Sequence, residues 1–153
     1  MTIGNKSTIS AISNLPGQKG SGGTPPPPPP PQPTPDQFTT PTDTGINMTV
    51  LVNASAVVNT PYAGGELGAF YDLNGDGNLQ CVALSTITAG PFSLVIWGDN
   101  GSTPEKDGLD NGDVPIFAIL DGGVVYELEP SPAFSGYVDN GIVIITNGTV
   151  SPL

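Results

Sequence analysis

From about Gly45 onward, short apolar runs recur between turn residues, and several alternate with period two. In "INMTVLVNA" (46–54), Ile46, Met48, Val50, Val52 and Ala54 fall on one strand face. Asn47, Thr49 and Asn53 fall on the other, where Leu51 is the exception. Further strands are expected at "ELGAFYD" (66–72), "LQCVALSTIT" (79–88), "FSLVIWG" (92–98), "VPIFAIL" (114–120), "GVVYELE" (123–129) and "GIVIIT" (141–146). "FSLVIWG" is apolar on both faces, as a central strand would be, and "VPIFAIL" is similar. Pro115 puts the start of the latter at an edge or bulge. "DGG" before residue 124 signals a hairpin turn. No segment carries a sustained helical stripe. Seven short strands at this spacing imply an all-β fold, an Ig-like antiparallel β-sandwich, with Trp97 and the aliphatic residues as its core.

The text before Gly45 is of another kind. "GSGGTPPPPPPPQPTP" (20–35) holds seven consecutive prolines, Pro25 to Pro31, then Pro33 and Pro35. Proline fixes φ and donates no N–H, so such a run favours polyproline II. At roughly 3.1 Å per residue, residues 25–35 would span about 34 Å. Three parts follow: an N-terminal arm (1–19), a Gly hinge with a polyproline linker (20–44), and the sandwich domain (45–153). The arm segment "NKSTISAISNLPG" is strand-like but too short and polar to fold alone. Ile9, Ile12 and Leu15 are its candidate anchors on the open sheet edge of another molecule.

Charge narrows the partners. Lys6 and Lys19 balance Asp36 and Asp43 within the first 44 residues. The remainder sets twelve acids against Lys106 alone, and the chain has no Arg and no His. Nucleic acid is not expected as a partner, because phosphate contacts need Lys and Arg. A cation is expected, since clustered carboxylates repel one another. There is no membrane-spanning apolar stretch, and "MTIGNKSTISAISNLPG" lacks the apolar core of a signal peptide. Release by lysis or an unusual route, and prior removal of a leader, both stay open. Cys81 excludes an internal disulfide and reads as a small buried hydrophobe. Without His, a nucleophile–base set or a phosphate loop, catalysis is not expected.

Two acidic stretches carry the candidate metal chemistry. In "DLNGDGNLQ" (72–80), Asp72, Asn74 and Asp76 stand at spacing two, followed by Gly77 and Asn78. That is the first half of a calcium loop, with oxygen ligands at alternate positions and a glycine for the turn. Its twelfth position is Ala83 rather than a bidentate Glu, so other residues would have to complete the shell. "WGDNGSTPEKDGLDNGD" (97–113) could lend Asp99 and Asp107 to Ca2+. The same residues also suit plain turn chemistry. Five Asn-x-Ser/Thr sequons, at Asn5, Asn47, Asn53, Asn100 and Asn147, are candidate glycosylation sites.

The text "GELGAFYDLNGDGNLQCVA" followed by "FSLVIWGDNGSTPEKDGLDNGD" resembles Ig-like β domains of bacterial extracellular and phage structural proteins. The likeness covers about residues 65–113 and implies a structural or adhesive module. The layout of strand, spacer and sandwich resembles protomers of pilus-like fibrils built by donor-strand exchange. That likeness implies an extracellular homopolymer in which one copy's arm completes another copy's domain. "STISAISNLPG" is similar to N-terminal segments of phage virion proteins, which implies a virion or fibre protein as the alternative. A calcium-dependent adhesive module that binds surface glycans is the third reading.

Overall fold

The computed structural model describes residues 24–153. Its strands are β1 (Asn47–Val52), β2 (Glu66–Tyr71), β3 (Gln80–Thr86), β4 (Phe92–Trp97), β5 (Ile116–Asp121), β6 (Val124–Pro130), β7 (Ile142–Ile145) and β8 (Gly148–Pro152). A three-stranded sheet has the order β4-β1-β7, and a five-stranded sheet the order β3-β2-β5-β6-β8. Every pairing is antiparallel except β1 with β7. The two sheets pack as a sandwich, the all-β fold that the alternation implies, and the layout is compatible with an Ig-like domain.

The inward faces follow the period-two pattern. Met48, Val50 and Val52 of β1 are buried with Leu94 and Ile96 of β4, against Leu67 of β2 and Phe117 and Ile119 of β5. Leu51 points the other way and is exposed. The turn from β5 to β6 is Gly122-Gly123, with φ of 55° and 83°. Both residues need positive φ in this tight hairpin turn, which is why glycine occupies both.

Three expectations are corrected. β4 is not central: it pairs only with β1 and forms the edge of its sheet. Its second face is apolar but only partly covered, with Val95 and Trp97 half-buried. Trp97 is therefore outside the main core. The largest fully buried side chain among the described residues is Tyr137, from the long connection between β6 and β7. A side chain at Gly98 would collide with the Tyr137 ring, so glycine there makes room for it. Finally, β8 was not expected at all. Its residues "GTVSP" hold one apolar anchor, the half-buried Val150, and most of its stability comes from the ladder to β6.

The five-stranded sheet is apolar on its outer face too. Phe70, Ala118 and Val125 form a second cluster there with Leu79, joined by Ile116 and Leu120. Residues 33–38 of the linker cover it. Pro33 is buried, a single 3-10 turn follows at Pro35–Gln37, and the Gln37 side-chain amide donates to the Leu79 carbonyl at 2.8 Å. Phe38 then meets Phe70 edge-on, with ring centroids 4.8 Å apart. Residues 33–44, which composition assigns to the linker, thus begin and end on the domain surface. Pro25–Pro31 are exposed. Cys81 sits at the margin of this cluster, half-buried, its thiol donating to the Ala83 carbonyl. Burial pushes that thiol up, away from the reactive thiolate.

Phe38→Ala should remove the main anchor of the arm. A loss of about 2 kcal/mol is expected in denaturant unfolding, below the usual cost of truncating a fully buried Phe because this ring is only half-buried. Limited proteolysis should then cut near residues 33–44 faster than in the parent. An unchanged cleavage pattern would mean that the arm is held by something other than Phe38.

Candidate functional site at the acidic loops and the open sheet

The loop between β2 and β3 turns through Gly75 and Gly77, at φ of 67° and 84°. Asp72 closes it: one carboxylate oxygen accepts the Asp76 amide at 3.1 Å and the other the Gly77 amide at 2.8 Å. Asp76 accepts the Asn78 amide at 2.9 Å, and contacts with the Asn78 backbone and side chain hold its carboxyl below the usual range. Asn74, Asp76 and Asn78 are exposed. Four side chains thus offer oxygens from one turn, whereas calcium takes six to eight. Ala83, at the twelfth position, lies in β3 and is fully buried. Among the described residues no three of Asp, Glu, His or Cys are grouped for a shared metal, so neither Asp99 nor Asp107 joins Asp72 and Asp76.

The second acidic loop is organised by the domain's one cation. Lys106 Nζ lies 2.6 Å from Asp113 and 2.8 Å from Asp110, and 5.1 Å from the centre of the Tyr71 ring. Asp113 also accepts the Tyr71 hydroxyl at 2.9 Å and the Asp110 amide at 2.9 Å. Burial opposes charge on Asp113, but the Lys106 ammonium and these donors outweigh it and hold its carboxyl below the usual range. Asp99 caps the amide of Gly101 at 3.0 Å, and Asp107 accepts the Thr103 hydroxyl at 3.3 Å. These contacts tie the loop to itself and to the end of β2.

The sequons divide by exposure. Asn53 and Asn147 are exposed, and Asn47 is half-buried in β1. Asn100 is half-buried, and its side-chain nitrogen donates to the Thr44 carbonyl, so it serves to fasten the end of the arm. Asn5 and the candidate donor residues Ile9, Ile12 and Leu15 lie outside the described residues.

The feature that residue-by-residue reading missed is the outer face of the three-stranded sheet. Ile142 is 71 % exposed, Ile144 56 % and Leu51 39 %. The register aligns them in rows: Ile144 beside Leu51 beside Ser93, and Ile142 beside Thr49 beside Val95. Val138, exposed, precedes the start of β7. No residue in these rows is charged. Among the described residues β7 pairs on one side only. Its register alternates, with the Gly141 and Ile145 carbonyls accepting the amides of Thr49 in β1 and of Asn53 just after it. The backbone groups of Ile142 and Ile144 therefore point to the unpaired edge. The available signal was "IVII" itself, a run apolar on both faces in a strand with one covered face.

No protein-family model, curated protein or solved structure matches this chain.

Asp113→Asn should cost about 2 kcal/mol at neutral pH, the scale of a partly buried, charge-assisted network. The native pKa is depressed, so this contribution is present above the unfolded value near 4 and fades as pH falls through the native one. Melting curves of parent and variant should lie well apart at pH 7 and converge below about pH 4. Equal separation at both pH values would contradict the ionic account.

Proposed function

We propose that the chain is a structural protomer of an extracellular, pilus-like filament, polymerising when its N-terminal strand joins the sandwich domain of another copy. The observation that carries this reading is the contrast between the two sheets. Each is apolar on its outer face, but among the described residues only the five-stranded sheet is covered, by Pro33 to Phe38 of the linker. Among the described residues, the three-stranded sheet leaves Leu51, Ile142 and Ile144 exposed beside a strand, β7, that pairs on one side only. Covering a large aliphatic side chain is worth about 1.5–3 kcal/mol, and an unpaired edge is a template for another chain. Charge supports the same pairing. Residues 1–23 carry Lys6 and Lys19 and no acid, whereas residues 24–153 carry all fourteen acids against Lys106. Among the described residues no helix is long and apolar enough to cross a membrane.

Electron micrographs of the purified protein should show filaments. Deleting residues 2–16 should abolish them while the β-type circular dichroism persists. Filaments that survive the deletion would end this reading, and a virion-like particle in the micrographs would favour the virion alternative. Calcium at the Asp72–Asn78 turn, with Asp76 and Asn74, is proposed as an accessory of the fold. Calcium at a hundredfold excess over its dissociation constant would add about 2.7 kcal/mol, seen as a higher melting temperature than in chelator. Asp76→Asn should reduce the shift. Coincident curves in calcium and chelator would remove the ion from the account, and with it the calcium-dependent adhesive alternative.

A further inference from the structure

The filament reading leaves open which surface receives the arm, and β7 borders a small groove beside its unpaired edge. After β6 the chain leaves through Ser131, whose amide donates to the Asn147 carbonyl next to the far end of β7. It then travels back to Asn140 and Gly141, which bond to Asn47 and Thr49 at the near end of β1. The segment after β6 therefore runs alongside β7 but does not pair with it. Between them lies a groove of about 280 Å³, walled by Pro132, Ala133 and Phe134 on one side and Val143, Ile144 and Ile145 on the other. The facing wall lacks backbone donors at Pro130 and Pro132. The strand wall presents the unpaired N–H and C=O groups of Ile142 and Ile144.

We propose that residues 7–15 of a second copy occupy this groove, hydrogen-bonded to the free edge of β7. The inference rests on the filament reading and names its acceptor site. An extended segment alternates its side chains. Ile9, Ala11 and Leu15 then fall on one face and enter the groove. Ile12 falls on the other, where it continues the exposed row of Ile144 and Leu51. All three anchors are thereby used, although their spacing of three does not fit a single face. Leu15 precedes Pro16, which biases it to extended backbone and makes it a natural end for the added strand. Just beyond the groove, Glu127 and Glu129 line an adjoining cavity that shares Pro130, Ala133 and Phe134 with it. They provide acids for Lys6 or Lys19 at the ends of the segment. The rod favours a second copy over the chain's own groove. Pro30 and Pro31 still lie beside Ile116 and Glu127, and at the polyproline rise the seven exposed prolines extend about 22 Å before the N-terminal segment begins.

The test uses the full chain with Cys81→Ala as background. Ser10→Cys, Ile12→Cys and Asn14→Cys, which share a strand face, are each combined with Ile144→Cys. Neighbouring strands place same-face residues within reach of a disulfide or a short thiol cross-linker. One of the three pairs should give a ladder of covalent multimers on a non-reducing gel, and the single-cysteine controls should not. Ile144→Pro removes an amide that points to the free edge and leaves the β1 ladder intact. It should abolish filaments with little change in melting temperature. Normal filaments in which no pair cross-links, or that persist in a folded Ile144→Pro variant, would overturn the acceptor site and leave the filament reading standing. Cross-linked monomers alone would overturn the second copy as occupant. Absence of filaments from the parent protein, with no cross-linked multimers, would overturn both.

Discussion

Strands that are apolar on both faces must be covered on both faces, and the arrangement of this molecule follows from how that demand is met. In β5, Phe117 and Ile119 face the three-stranded sheet while Ile116, Ala118 and Leu120 face outward. The outward set would be unstable in water. Pro33 and Phe38 close over the sheet's outer face, and the turn at Pro35–Gln37 and the bond from Gln37 to Leu79 hold the crossing in place. The arm is thus part of the domain's stability from Pro33 onward, and that docking fixes where the polyproline rod starts. The three-stranded sheet has the same two-faced composition in β4 and β7. Among the described residues its outer face has no such cover, so the demand met on one side is unmet on the other.

Much of this was readable from residue order. Five of the seven expected strands lie within their runs, and β5 and β6 each extend one residue past theirs, because alternation in β1 and the glycine pair before β6 are local signals that burial does not override. Sheet membership was not readable in the same way. "FSLVIWG" and "VPIFAIL" look alike, yet β4 is an edge and β5 is central. Position in a sheet depends on pairing partners, and composition reports only whether something apolar lies opposite. For β5 that something is the arm; for β4 it is a half-covered surface. β8 escaped notice because Val150 is its one apolar residue, so its existence depends on the edge that β6 offers.

The candidate sites show the same division. Spacing alone located the tight turn at Asp72–Asn78, and the structure places Asp72 where its carboxylate closes that turn on two amides. Spacing could not show that Lys106 would sit between Asp110 and Asp113 and engage the acids that a cation would otherwise share. Nor could it show that Asn100, a sequon residue, would bind Thr44 and fasten the arm. In each case a residue type chosen for one chemistry is used for another, because a nearby backbone or side-chain partner competes with the solvent or ion.

In the filament proposed above, electrostatics gives the polyproline run a role. Copies with a net charge of −11 repel one another wherever their acidic surfaces approach. Two features reduce that repulsion. The outer face of the three-stranded sheet carries no charge in its rows, so contact there brings no like charges together. The prolines carry none either, and seven of them extend about 22 Å, more than twice the screening length of about 8 Å at physiological salt. A flexible linker of equal residue count would have a shorter mean reach and would let the domains approach. In the proposed filament, a stiff, uncharged spacer would keep acidic domains apart while a segment bearing Lys6 and Lys19 reaches a neutral apolar edge. On these terms, polymerisation should depend more on the stiffness of the run from Pro25 to Pro31 than on its sequence. Replacing those prolines with alternating Gly and Ser should weaken assembly most at low salt, where screening is poorest and separation matters most. Assembly that is insensitive to the replacement at low salt would count against this role for the rod.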